Sequence, residues 1–141
     1  MKTKTIQILI NYQKQTRISF DLHSFIARLL ELKSVTGGVF EFTFVDNTTI
    51  RKLNHLYFKK KGTTDIISFN LGTETEILGD IYIAVDVAKQ NAKRFGNTFD
   101  NEIKLLLAHG ILHLLGYRDY SDEERHEMEW EQNRLLEELI L

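Results

Sequence analysis

Residues 109–119 read HGILHLLGYRD, and the role given to the two histidines decides how the rest of the chain is understood. His109 and His113 stand four apart. On a helix both imidazoles then leave one face a single turn apart, a spacing that suits two nitrogens of one metal ion. By itself the pair reads more readily as two ordinary histidines on a partly buried helix than as metal ligands. The neighbours Leu106, Leu107, Ile111, Leu112, Leu114 and Leu115 change the balance, because they make the helix apolar nearly all round and predict deep packing. Buried imidazoles need polar partners, and a shared cation supplies both at once. Gly116 stands where the helix should end, able to take a positive φ and turn the chain back. Asp119 follows three residues later as a third ligand.

Positions 109, 113, 116 and 119 coincide with H, H, G and H in the metzincin pattern H-E-x-x-H-x-x-G-x-x-H. Two departures shape the chemistry. Gly110 replaces the glutamate that serves zinc peptidases as general base, which argues against peptidase action by that route. Asp119 replaces a histidine, giving a His-His-Asp set of the kind that keeps a position open for water. The expectation is one divalent ion, Zn²⁺ before others. The carboxylate makes its bound water less acidic and widens the range of acceptable metals.

A chain of 141 residues, 43% apolar and 27% charged, is expected to form a single domain over 1–141 of ordinary soluble type. It has no cysteine, so thiolate ligands and disulfides are excluded. The start, Met1 to Asn11, carries an apolar run too short for a signal peptide or a spanning helix, so a cytoplasmic location without membrane contact is expected. The net charge of −2 hides an asymmetry. Residues 1–120 hold 16 Lys/Arg against 12 Asp/Glu, a balance of +4, and residues 121–141 hold 2 against 8, a balance of −6. A uniformly basic nucleic-acid binder is excluded, while a basic face on the main body is not.

Hydrophobic periodicity places the elements. Ile6, Ile8, Ile10 and Tyr12 alternate as a strand; Asp21 caps a helix with the stripe Leu22, Phe25, Ile26, Leu29, Leu30. After Gly37-Gly38 comes a second strand with Phe40, Phe42 and Phe44 on one face. Asn47 is expected to cap a short helix, followed by the lysine turn KKKGTT and the strands DIISFNL and GDIYIAV, linked as a hairpin. Asp86 is expected to cap a helix ending at Gly96. Another runs from about Asp100 to Leu115, and the last starts at the capping box Ser121–Glu124. The order β-α-β-α-β-β-α-α-α implies an α+β fold, a mixed four-stranded sheet packed with helices, one of which carries the metzincin-like metal-binding helix and turn.

Three stretches together resemble one family. AHGILHLLGY is similar to the signature H-G-x-L-H-L-x-G-Y-D-H of the YbeY family of bacterial endoribonucleases and rRNA maturation factors. LNHLYFKKKGTTDIISF resembles its L-N-x-x-Y-R-x-K-x-x-P-T-D-V-L-S-F, matching at Leu53, Asn54, Tyr57, Thr64, Asp65, Ser68 and Phe69; LGDIYIA resembles its L-G-D-I-x-I at Gly79 and Asp80. In that family three histidines hold the metal. His109 and His113 match the first two, and Asp119 falls on the third. Phe58 stands where the family has a functional arginine and Thr63 where it has proline, the marks of a divergent branch.

The resemblance implies a metal-dependent endoribonuclease that acts on single-stranded regions in rRNA processing and ribosome maturation. Cleavage would be hydrolytic, by metal-activated water. Lys59, Lys60 and Lys61 are then expected to bind RNA phosphates, with Lys60 also counted as catalytic. Asp65 is expected to accept a proton or orient a ligand, though it equally suits a turn or strand start, as does Asp80. Expected partners are ribosomal RNA and the small ribosomal subunit or its proteins. The competing reading is a non-catalytic RNA-binding ribosome-biogenesis factor with a structural metal. A non-haem iron oxygenase built on His-His-Asp is a third, with no co-substrate site to support it.

Overall fold

Alternation puts the rings of Phe40, Phe42 and Phe44 on one face of a strand, and all three are fully buried. The computed structural model describes residues 5–140, so the reading of the first four residues lies outside it. The elements are β1 (Ile6–Tyr12), α1 (Leu22–Leu32), β2 (Gly38–Val45), α2 (Asn47–Phe58), β3 (Ile66–Asn70), β4 (Leu78–Ala84), α3 (Val85–Arg94), α4 (Phe99–Leu114) and α5 (Asp122–Ile140). This is the expected order, in an α+β arrangement. One mixed sheet runs β1-β2-β4-β3, with β1, β2 and β4 parallel and β3 antiparallel to β4 at the edge.

One sheet face carries Ile8, the three phenylalanines, Ile81 and Ile83 against Ile26 and Leu29 of α1, Leu107 and Ile111 of α4, and Leu135 of α5. Each such side chain withdrawn from water contributes about 1.5–3 kcal/mol. A smaller cluster on the other face joins Val45, Ile50, Ile67 and Ala84. No helix among the described residues is long and apolar enough to cross a membrane.

Asp21 caps α1, accepting from the Ser24 N–H at 3.1 Å, and the Ser121–Glu124 box closes with two bonds of 3.1 Å. Two starts differ from expectation. Asp46, not Asn47, caps α2, accepting from the Thr49 N–H at 2.8 Å. Strand β4 runs straight into α3, leaving Ala84 at the cap and Asp86 inside the first turn, where its charge meets the positive helix end instead of capping it. Helix α4 starts at Phe99 behind a Thr98 cap.

The end of α4 places the site. Gly116, at φ +97°, donates to the His113 carbonyl at 3.1 Å, and Tyr117 N–H donates to the Leu112 carbonyl at 3.0 Å. This paired cap needs a positive φ, which glycine adopts without a Cβ clash. It turns Tyr117 back along α4. The Tyr117 hydroxyl accepts from Lys33 at 2.8 Å and donates to Glu131 at 3.3 Å; Glu131 pairs with Lys33 at 2.5 Å and with Arg134. The hydrogen bond from Arg134, aided by Lys33, holds the Glu131 carboxyl down at about 2.

Because that folded-state value is depressed, the stabilisation is complete above the ordinary 4.5 and is lost as pH falls from 4.5 towards 2. Glu131→Gln is expected to cost on the order of 2 kcal/mol at neutral pH. The gap from the parent should close through that acid window. Urea unfolding at several pH values measures it; a gap that stays constant down to pH 2 counts against the ion pair as its source.

Candidate metal centre

His109 and His113 leave one side of α4 with their Nε2 atoms 3.1 Å apart and their rings nearly perpendicular, at 81°. The Asp119 Oδ2 lies 3.9 Å from His113 Nε2. One donor atom of each of the three lies within 4.8 Å of the others, the one such group of three among the described residues. The other ring nitrogens point away to fixed acceptors. His109 Nδ1 meets the Gln132 side-chain oxygen at 3.2 Å, and His113 Nδ1 meets the Tyr117 carbonyl at 3.2 Å. The Tyr117 backbone carbonyl only accepts, so His113 Nδ1 carries the proton; with the Gln132 oxygen facing it, His109 Nδ1 does the same, and each Nε2 then presents a lone pair.

Two bare lone pairs 3.1 Å apart on half-buried rings repel one another unless a cation lies between them. Two nitrogen ligands of one tetrahedral zinc, bonded at about 2.0–2.1 Å, stand roughly 3.3 Å apart, close to the separation seen. The residues therefore fit a divalent ion. Burial, first, and the neighbouring His109 push the His113 imidazole below its ordinary 6.5, against the pull of Asp119. The neutral form that can donate to a metal is thus favoured. Asp119 keeps 44% of its side chain in solvent, so the site is open on that side to water and substrate.

Gly110, next to the first histidine, faces the sheet. A Cβ there would lie 2.8 Å from Ile66 Cδ1 and 3.5 Å from Ile81 Cδ1. The position of the peptidase glutamate is thus part of the core. Ser68 Oγ donates to the Gly110 carbonyl at 3.0 Å and fastens edge strand β3 to α4.

None of the other expected site residues joins this group of three. Lys59, Lys60 and Lys61 are exposed just beyond α2, with Lys59 at φ +54°. Asp65 accepts the Ala84 N–H on its carbonyl at 2.9 Å and Asn91 Nδ2 on its carboxylate at 3.3 Å. Burial, and then the charge of Asp65, push the carboxyl of buried Glu102 up. Asp80 accepts the Tyr82 hydroxyl at 2.8 Å, and burial raises its carboxyl. Phe58 stacks on Phe69, and His23, His55 and His126 are exposed. Sequence reasoning missed Gln132 and the Tyr117 carbonyl. A signal for Gln132 existed: with Met128 and Leu135 it shares the buried stripe of α5, where an uncharged polar residue needs a partner.

The family profile described as Endoribonuclease YbeY matches residues 7–140. A protein of Flavobacterium johnsoniae named Endoribonuclease YbeY is 35% identical over 120 residues, 82% of this chain and 86% of that protein. One of the same name from Carboxydothermus hydrogenoformans is 33% identical over 138 residues, covering 94% and 96%, and one from Bacillus cereus is 35% identical over 150 residues, also 94% and 96%. Among solved structures, a Thermotoga maritima protein determined in solution matches with a TM-score of 0.62 at 27% identity, over 94% of this chain and 88% of that one. On the match of nearly its whole length, the chain belongs to the YbeY endoribonuclease family.

Proposed function

We propose that the chain, acting as one domain over 1–141, is a metal-dependent endoribonuclease that hydrolyses single-stranded regions of ribosomal RNA in the cytoplasm, on the small ribosomal subunit or with its proteins. The observation that carries this is the pair of Nε2 lone pairs turned to one point, each backed by an acceptor on Nδ1. His109, His113 and Asp119 would hold the ion, Zn²⁺ before others. Bound there, it supplies Lewis acidity for activating water and for the charge that develops at phosphorus.

The chain's own residues do the rest. Gln132 and Tyr117 fix the two ring orientations, and Gly110 leaves α4 seated on β3. Lys59, Lys60 and Lys61 bind the RNA backbone, and Lys60 is the cation assigned to the reacting phosphate. Asp65 is the assigned proton acceptor, entering with Asn91 on its carboxylate. Zinc-loaded protein incubated with ribosomal RNA tests the proposal: chelator-sensitive cuts in unpaired segments are expected, and intact RNA overturns it. Melting on chelation without turnover at any loading would instead support the non-catalytic RNA-binding factor.

Gln132 makes a sharper prediction. Partners that orient a ligating histidine are typically worth 10–100-fold in metal affinity. Gln132→Leu is expected to weaken zinc binding by about that factor. Competition against a chromophoric chelator reads it directly, and an unchanged affinity would remove Gln132 from the site.

A further inference from the structure

Where α2 ends against edge strand β3, two aromatic side chains stand half in water. Tyr57 is 54% exposed and Phe58 45% exposed, although the core is close by. Both lean on Phe69 of β3. The Phe58 ring stacks on it at 5.4 Å between centroids and 11° between planes, and Tyr57 sits tilted at 4.6 Å. Phe58 is thus the outer layer of a two-ring stack whose inner layer is anchored in the sheet.

The chain then turns at once into Lys59, Lys60 and Lys61, all exposed. This turn is held in place. The side chain of Asn54, itself buried, donates to the Gly62 carbonyl at 3.2 Å; the Asn54 carbonyl accepts the Lys60 N–H at 3.4 Å. Three cations are therefore carried on a pinned loop beside an open aromatic stack. Next to Phe69 on β3 is Ser68, whose hydroxyl is bonded to Gly110, the neighbour of His109. The two side chains leave opposite faces of the strand, the stack on one and Ser68 with α4 on the other.

Flat apolar rings beside backbone-binding cations match single-stranded nucleic acid, whose bases offer π faces at regular intervals along a chain of phosphates. The three cations adjoin the rings on the side of the turn, while Asp80, the ladder partner of Phe69, adjoins them on the side of β4. We propose that Phe58, backed by Phe69, is a nucleobase-stacking platform, and that the Lys59–Lys61 turn takes the adjoining phosphates of the same single-stranded RNA. The proposal rests on the reading of the chain as an RNA-acting enzyme and adds how the substrate is gripped: by a base, without reading its identity.

The test is equilibrium binding of the full-length protein to a fluorescent 2′-O-methyl dodecamer and to an abasic dodecamer of equal charge. Phe58→Ala should weaken binding of the base-bearing strand about ten- to a hundredfold and leave the abasic strand within about twofold. Phe58→Leu, apolar but not planar, should behave like Ala. Phe58→Trp should restore affinity, with its indole fluorescence quenched by the base-bearing strand alone. Replacing Lys59 and Lys61 by alanine should flatten the dependence of affinity on salt for both strands, which Phe58→Ala should not do. Equal losses on both strands, no loss, or no binding by the parent protein each overturn the platform. The enzymatic reading is judged separately, by cleavage of ribosomal RNA with zinc. Base-dependent binding without cleavage would defeat that reading and leave the platform standing.

Discussion

His113→Ala is expected to abolish stoichiometric zinc binding and to lower RNA cleavage by on the order of 10³ or more. The reasoning starts from the ligand geometry. His113 Nε2 is the atom common to both short distances in the group, 3.1 Å to His109 and 3.9 Å to Asp119. Removing it leaves one imidazole and a half-exposed carboxylate, too few donors for tight binding. Stability should respond with a sign that an ordinary core mutation would not give. Without metal, the parent carries two facing lone pairs, so the variant should melt within a few degrees of it. With zinc in large excess over its dissociation constant, the parent should gain about 4 kcal/mol, a rise of roughly 10 °C, and His113→Ala nothing. Asp119→Ala should fall between, because that carboxylate is the more exposed and more distant member. Melting curves of the three proteins, with zinc and with chelator, decide it. A parent that gains nothing from zinc, or a His113→Ala variant that gains as much, would end the metal assignment. A parent that gains stability yet never cleaves RNA would favour the non-catalytic reading.

The sequence was most legible where one residue type at one spacing has one physical solution. Phe40, Phe42 and Phe44 had to share a face, and Gly116 had to turn the chain after His113. Legibility failed where two neighbours suit the same task. Asp46 and Asn47 are equally good caps, and only the backbone of the finished turn selects Asp46. Asp86 looked like a cap because the sequence does not show that β4 passes into α3 without a loop. The strand order β1-β2-β4-β3 is a property of long-range packing, and no local pattern encodes it. The site divides in the same way. Its three converging residues lie within 11 positions of one another and were found together, whereas Gln132 comes from a separate helix. Asp65 shows the reverse case: a carboxylate in a family motif whose visible partners, Asn91 and the Ala84 amide, lie at the junction of β3, β4 and α3.

Gly110→Glu is expected to be the most destructive single change at the site, although it would write the peptidase glutamate back into the sequence. The position is buried, and its missing Cβ points at Ile66 and Ile81 rather than into the open side of the centre. A glutamate there must either bury a carboxylate among isoleucine side chains or lift α4 away from β3. Lifting the helix breaks the Ser68–Gly110 hydrogen bond and moves His109 with it. Either route costs about 4 kcal/mol or more, a large part of the stability of a domain this size. Gly110→Ala separates shape from charge. Its Cβ would press only the terminal methyl of Ile66, at 2.8 Å, and a small side-chain shift would offset part of a helix-propensity gain of up to about 1 kcal/mol. Alanine should therefore leave the melting temperature within a few degrees and zinc binding nearly intact, while glutamate should leave little folded protein at 37 °C. If the glutamate variant instead folds, binds zinc and hydrolyses a peptide, then residue 110 can reach the metal. The packing of α4 on β3 would then not be what keeps that position a glycine.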